Sequence, residues 1–382
     1  MELHYPSESN SRILILSQRK LRNDLFRCSD YEFEDTICSL DAVDIIAPEY
    51  NYNISIARYF KFLLKGMSKK PSIVQHINPG IRQSVVEKEY DLFYAHCMFT
   101  KDLLALNSIK DWRKKCKIAV CYMAELWTKN LNKLKKSIQL LNQFDYILLT
   151  CGSSVDAVKD RVQRPCYYFP PGVDAVKFGP FPAKPHRCID VLSMGRRSKV
   201  THKSLLDLAE HGKIFYLYDT SYFRGAIDHT EHRSMLANLI KRSRFFLVYP
   251  AQVNDLDVRG GQEVLGYRYF EGAAGGAVLL GDVPDCEYAD GCFEWSNALI
   301  RLPYGADNIA EVMTELDAQP DRIHKIRRNN VVTSLLRHDW AHRWKEILDI
   351  AGMKPRPALE AREKRLKELA KAVRSHSQDI IN

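Results

Sequence analysis

The stretch Gly260-Gly-Gln-Glu263-Val-Leu-Gly-Tyr-Arg-Tyr-Phe-Glu271-Gly-Ala-Ala-Gly-Gly-Ala-Val-Leu-Leu280 carries the most information in the chain. Two glutamates stand seven residues apart, and Gly260 and Gly261 precede the first. Glycines there let backbone N–H groups approach a ligand closely. The periodicity predicts a helix from about Tyr267 to Ala274, whose positive N-terminal end faces an anionic group. A strand is predicted over Ala277–Leu280. Ionised carboxylates only accept hydrogen bonds, so Glu263 and Glu271 suit the vicinal hydroxyls of a sugar or ribose better than a phosphate.

Working outward, short β-branched or aromatic runs alternate with longer stretches of helical period, the pattern of parallel α/β units. After Cys188 come predicted strands at Ile189–Met194, Ile214–Tyr218 and Phe245–Tyr249, with helices at about Ser204–His211 and Arg233–Lys241. Val253–Gly266 reads as a loop. From Asn308 onward the pattern is helical, ending in a charged helix at Ala358–Ser375 with an apolar stripe of Leu359, Leu366, Leu369 and Val373.

Upstream, strands are predicted at Arg12–Leu16, Val43–Ile46, Leu92–Ala95, Lys117–Cys121 and Tyr146–Leu149. Helices are predicted at Ile54–Leu64, Thr100–Leu106 and Asn130–Asn142, and Ser153 or Ser154 is suited to cap a further one. Tyr167-Tyr-Phe-Pro-Pro-Gly-Val-Asp174 breaks the series, because consecutive prolines and a glycine continue neither a helix nor a central strand. Pro180, Pro182 and Pro185 keep the chain extended to Cys188. The expected organisation is therefore an N-terminal domain at 1–169, a linker at 170–187, a second α/β domain at 188–352 and a C-terminal helical extension at 353–382.

The 382 residues suffice for two α/β domains. Hydrophobic residues at 46% and charged residues at 27% are the composition of a soluble globular protein. No apolar run approaches the roughly 20 residues that cross a bilayer, and the polar, acidic opening Met1-Glu-Leu-His is unlike a signal peptide. Ten cysteines lie scattered without paired spacing, which predicts neither zinc nor a disulfide framework and fits a reducing cytoplasm. A net charge of +9 favours an anionic partner without naming it.

Glu263-x7-Glu271 with its following Gly-Ala-Ala-Gly-Gly-Ala-Val resembles the E-x7-E signature of group 1, family 4-like glycosyltransferases of GT-B fold. Pro170-Pro-Gly-Val-Asp174-Ala-Val-Lys-Phe178 is similar to that family's linker, with proline in place of asparagine. Leu336-Arg-His-Asp-Trp-Ala-His-Arg343 resembles a closing helix of a spore-coat-type subgroup. The resemblance spans roughly 145–350; before that only the strand alternation and Tyr90-Asp-Leu-Phe-Tyr-Ala-His96 are similar to the acceptor-side domain.

The resemblance implies two Rossmann-like domains facing across a cleft, with an N-terminal acceptor side and a C-terminal donor side. It implies transfer of a sugar from a nucleoside diphosphate carrier to a carbohydrate, lipid-linked or protein hydroxyl, in polysaccharide or glycoconjugate biosynthesis, with retention of configuration. It assigns the nucleotide ribose to Glu271 and the donor sugar to Glu263. It also places an arginine and a lysine on the donor diphosphate, drawn here from Gly195-Arg196-Arg197-Ser-Lys199…Lys203, with Lys199 and Lys203 as alternatives. Fixed cations suit that position because the leaving diphosphate gains negative charge.

Asn254-Asp255-Leu-Asp257 contains a D-x-D, but a divalent ion needs more oxygen ligands than the tripeptide supplies. With the family's metal-independent handling of the leaving group, neither a metal nor another cofactor is expected. His338 and His342 have zinc-like helix spacing without an evident third ligand, and Trp340 and Trp344 suggest a packed helix instead. On the acceptor side His96 and Glu125 each follow a strand-like run and are candidates to orient or deprotonate a hydroxyl; His76 and Asn78 are further options. Basic amphipathic segments at Arg58–Lys70 and Lys129–Leu141 fit half-buried helices or peripheral contact with anionic lipid at the inner membrane face. Two other readings are a sugar-nucleotide epimerase or hydrolase on the same fold and a basic nucleic-acid-binding protein, for which no recognised motif is present.

Overall fold

The apolar runs offered by the sequence as strands form the centres of two parallel sheets. The structure is a computed structural model and describes residues 10–51, 78, 80–220, 225–286 and 291–375. The chain divides into two compact units, neither of them continuous in sequence. The first takes the chain up to Asn23, Ile37–Phe169 and Ile347–Pro355; the second takes Asp24–Thr36, Pro170–Glu346 and the chain from Arg356.

In the first unit β1 (Ile13–Leu16), β2 (Val43–Ile46), β4 (Tyr90–Cys97), β6 (Cys116–Met123), β7 (Tyr146–Leu149) and β8 (Cys166–Tyr168) form one sheet in the order β2-β1-β4-β6-β7-β8. Every neighbouring pair is parallel. All four side chains of β1 are buried, as expected of a strand covered on both faces. The short β3 (Ser84–Val85) and β5 (Ile109–Lys110) pair separately. Neither they nor β8 were anticipated, since two or three residues carry too little pattern to register.

The helix α1 (Cys28–Leu40) was also missed. Its sequence buries Asp30, Glu32 and Glu34 beside Tyr31, Phe33 and Ile37, so the acids interrupt the apolar period by which a helix is recognised. Thr100–Ser108 is a 3-10 helix rather than the expected α-helix. The helix predicted over Asn130–Asn142 breaks into a 3-10 turn at Thr128–Asn130, α2 (Lys135–Ile138) and a 3-10 turn at Gln139–Gln143. Leu131, Ile138, Leu140 and Leu141 are all buried there. At 100° per residue a straight helix would turn Leu140 away from Leu131 and Ile138, and the breaks remove that conflict.

Ser154 takes the N-cap position of α3 (Val155–Val162) but makes no capping bond; its hydroxyl lies 3.1 Å from that of Thr128. His76, the predicted helix Ile54–Leu64 and the segment Arg58–Lys70 fall outside the described residues. Asn78 closes a turn, its side-chain Oδ1 accepting from Gly80 N (3.1 Å) and Ile81 N (2.7 Å).

The expected linker at 170–187 contains a one-turn helix, α4 (Ala175–Phe178), ahead of its prolines, capped by Asp174 accepting from Lys177 N at 3.0 Å. The strands β9 (Ile189–Ser193), β10 (Tyr216–Tyr218), β11 (Ser243–Val248), β12 (Val278–Gly281) and β13 (Ile300–Arg301) form a parallel sheet in the order β10-β9-β11-β12-β13. Around it run α5 (Lys199–Glu210), α6 (His229–Lys241), the single-turn α7 (Leu256–Arg259) and α8 (Tyr267–Ala274). Then follow α9 (Ile309–Asp317), α10 (Pro320–Thr333), α11 (Trp340–Ile350) and α12 (Pro357–Ser375). In α12 Leu359, Leu366 and Val373 are buried as expected, while Ala370 takes the buried place given to Leu369.

Both units are thus Rossmann-like, and with the helical C-terminal region they supply the parts expected of a GT-B chain. In each sheet the order reverses beside the first strand, between β1 and β4 and between β9 and β11. Open α/β sheets bind ligands outside the carboxyl ends of their strands at such a point.

The small residues after Glu271 let α8 lie close on β11 and β12. A Cβ at Gly272 would stand 2.5 Å from Leu279 Cδ2 and 2.6 Å from Phe246 Cδ1. At Gly281 it would stand 1.6 Å from the Val248 carbonyl oxygen, where backbone rather than a side chain must give way. Gly281→Ala is therefore expected to lower stability by about 3 kcal/mol, measurable as a reduced urea midpoint.

Candidate functional site

The switch point of the second sheet is built from the loops leaving β9 and β11. After β9 the backbone turns at Gly195, where φ is +91°, a conformation that costs a side-chain-bearing residue strain. Gly195 N donates to both Asp219 oxygens at 3.1 Å. Arg197 donates to the Asp219 carbonyl (2.6 Å) and carboxylate (3.0 Å), and its guanidinium lies 5.0 Å from the centre of the Tyr218 ring. Asp219 therefore neutralises Arg197 and occupies the Gly195 amide. Arg196 is exposed and donates to the Gln252 side-chain oxygen, across to the loop after β11. Lys199 and Lys203 are both exposed, one turn apart on α5. Ser198 caps that helix, its hydroxyl accepting from Thr201 N at 3.3 Å.

Arg196, Lys199 and Lys203 are not paired with a carboxylate among the described residues, while Arg197 is held on Asp219 as a structural piece of the loop. Asp219 and Gln252 were missed at the sequence level. The only signal for Asp219 was an acid directly after a predicted strand.

The two glutamates separate in character. Glu263 sits in the loop before α8 with its side chain 26% exposed. One oxygen accepts from Arg259 at 3.2 Å and the other from Asp285 N at 2.9 Å, so it joins the loops after β11 and β12. Gly260 adopts φ +61° as the left-handed cap of α7, its N–H donating to Leu256 O at 2.9 Å, and Gly261 follows at φ +88°. These glycines serve the turn that delivers Glu263.

Glu271 is fully buried. Its Oε1 accepts from Arg233 and from Ser29 Oγ (3.2 Å), and its Oε2 from Arg268 (2.6 Å). Arg233, itself 1% exposed, also grips Glu32 through Nε (2.9 Å) and Nη2 (3.1 Å). Glu32 further accepts from Trp340 Nε1 (3.1 Å) and Asp174 N (3.0 Å). Burial alone would raise the Glu271 carboxyl, but Arg268 and Arg233 outweigh it and bring it down to about 2. Burial likewise opposes the charge on Arg233, and Glu32 and Glu271 overcome it and raise its pKa. Nearby His232 is lowered to about 4 by burial and then by Arg268 and Arg233.

As the side chains stand, Glu271 has no carboxylate oxygen open to a ligand. Arg268, 29% exposed and placed at the positive end of α8, is the less buried of its two arginine partners. Glu32 and Arg233, 201 residues apart, form no motif a sequence reading could find.

Asp255 of the D-x-D is the N-cap of α7, accepting from Val258 N at 3.0 Å. Among the described residues no three His, Cys, Asp or Glu side chains are grouped as a metal would require. His338 is buried with Nε2 3.0 Å from Cys292 O, burial and then Arg343 and Arg337 lowering its pKa, and His342 Nε2 lies 3.0 Å from Leu335 O.

In the first unit β4 and β6 bring His96 and Glu125 to neighbouring strand ends. His96 is 2% exposed, its ring 4.4 Å from that of Tyr122, so it belongs to a packed aromatic row rather than an open edge. Glu125 follows β6, its N–H donating to Met98 O at 2.9 Å and its carboxylate accepting from Trp127 Nε1 at 3.4 Å. The apolar face of Lys129–Leu141 is buried in this unit's core. No helix among the described residues is long and apolar enough to cross a membrane.

Residues 197–349 match the family model Glyco_trans_1_2, described as glycosyl transferase-like. The match opens at Arg197 and takes in both glutamates. No curated protein sequence matches the chain at a significant level. Among solved structures, the chain is similar to α,α-trehalose 6-phosphate synthase from Burkholderia multivorans, at 11% identity and TM-score 0.42, covering 94% of this chain and 83% of that one. It is also similar to WaaG, a glycosyltransferase involved in lipopolysaccharide biosynthesis, at 10% identity and TM-score 0.43, covering 89% and 100%. At these scores nothing about activity follows.

The buried charges set an acid limit. The folded state lowers the Glu271 pKa from 4.5 to about 2, so its stabilisation is present above pH 4.5 and is lost as pH falls towards 2. About 2 kcal/mol of it should be gone by pH 3. Glu271→Gln should be less stable than the wild type at pH 7 but lose less between pH 7 and pH 3 in denaturant unfolding. Arg233→Met, which removes the shared buried cation and leaves Glu271 with Arg268 and Glu32 with Lys177, should cost about 3–5 kcal/mol at pH 7.

Proposed function

We propose that the protein is a glycosyltransferase that takes a sugar from a nucleoside diphosphate carrier and passes it to an acceptor hydroxyl. The observation that carries this reading is the set Arg196, Lys199 and Lys203 at the carboxyl end of β9, beside the switch point of a Rossmann-like sheet. The glycosyl transferase-like match over 197–349 supports it. In this reading the three cations hold the diphosphate and stabilise the charge it gains as the sugar departs. Arg197 shapes the loop from its place on Asp219.

Glu263, the glutamate whose side chain is partly exposed, orients the donor sugar's hydroxyls. Glu271 takes the ribose diol at Oε2, which requires Arg268 to withdraw and leaves Oε1 on Arg233. On the acceptor side Glu125 is the better candidate base, because His96 is sealed within its aromatic row. Retention of configuration, metal independence and a glycoconjugate acceptor belong to the same proposal and come from the E-x7-E resemblance.

Isothermal titration with UDP, GDP, ADP, CDP and dTDP tests the donor assignment. At least one should bind, with an affinity that falls as salt rises, and Arg196→Ala should weaken it roughly tenfold or more, the loss of one charge-assisted hydrogen bond. A wild type that binds none of them would sink the reading.

A further inference from the structure

We infer that Gln252 is the positioning residue for Arg196: it fixes the guanidinium across the β9–β11 crevice without cancelling its charge. This rests on the reading above, in which Arg196 meets the donor diphosphate.

The first observation is the backbone. Gln252 has φ +56°, a left-handed conformation uncommon for a residue that is neither glycine nor asparagine. Its turn is tightly tied: Val253 N donates to Pro250 O (3.2 Å), Asp255 N to Gln252 O (2.9 Å) and Ala251 N to Val264 O (2.9 Å). The same loop uses glycine for its other left-handed positions, Gly260 and Gly261. Were the turn alone required, glycine would serve at 252 without strain. A glutamine here carries strain that glycine would not, so the contact of its side chain is the feature to explain.

The second observation is what that side chain touches. Its amide oxygen accepts from Arg196 Nη2, linking the loops that leave two adjacent strands at the switch point. The adjacent Arg197 is held differently, by the carboxylate of Asp219, which neutralises it. An amide oxygen orients a guanidinium by a single hydrogen bond and carries no net charge, so Arg196 keeps its full positive charge for an anion. Two arginines in sequence are thus divided between a structural and a ligand-facing task by the charge of their acceptors.

The test compares Gln252→Glu, Gln252→Gly and the wild type for binding of inorganic pyrophosphate and of the tightest nucleoside diphosphate, each at low and high salt, with Tm recorded. Gln252→Glu keeps an acceptor but quenches the charge; it should bind both probes about tenfold more weakly at low salt, with a flatter salt dependence and no loss of Tm. Gln252→Gly should bind a few-fold more weakly while its Tm is equal or higher, because strain is relieved as the positioning bond is lost. Wild-type affinity in Gln252→Glu, or losses that merely follow Tm, would overturn the inference while leaving the donor reading intact. A wild type that binds neither probe overturns both.

Discussion

The second unit depends on one buried guanidinium. Arg233 is almost wholly removed from water, a placement that is tolerable only because its donors are taken by Glu32 and Glu271 and the Phe178 ring lies 4.6 Å away. The arrangement ties together α1, α6 and α8, and through Asp174 N and Trp340 it reaches the chain that enters the unit and the helix near its end. Asp24–Thr36 is grouped with this unit although its flanking residues are not. The ion cluster supplies a reason. Glu32 has its partners here, and moving it elsewhere would leave the buried Arg233 with one of its two carboxylates.

That constraint changes what the E-x7-E spacing can mean. Seven intervening residues place one glutamate in the loop ahead of α8 and the other in its second turn. The loop member keeps solvent contact while linking two strand-end loops; the helix member is drawn into the core as counter-ion to Arg233 and Arg268. A carboxylate so placed serves the fold, with Arg268 the less buried of the two cations beside it. The same logic governs Gly195–Lys203, where a carboxylate neutralises Arg197 and an amide leaves the preceding Arg196 charged.

Much of this was legible in the sequence. The strands at Val43–Ile46 and Tyr146–Leu149 and the helix Tyr267–Ala274 appear with the expected bounds, because their apolar residues obey a single period and their neighbours contain clear breakers. The helix α1 was illegible for the opposite reason: its buried face includes acids whose partners lie far along the chain. The segment Lys129–Leu141 misled because a basic, leucine-rich run satisfies a helical template locally, while packing needs Leu140 and Leu131 buried together.

The sequence by itself determined the α/β class, the breaks at the prolines, the positions of the strand-end loops and the residue types gathered in them. These follow from local periodicity and the conformational limits of proline and glycine. Only the tertiary structure decided which charges are spent and which remain open. It set Arg197 on Asp219 and Arg196 on Gln252, packed His96 among aromatic rings, and buried Glu271 while leaving Glu263 accessible. The physical reason is that a side chain's charge state and accessibility depend on partners brought close by folding, and no spacing along the chain encodes those distances.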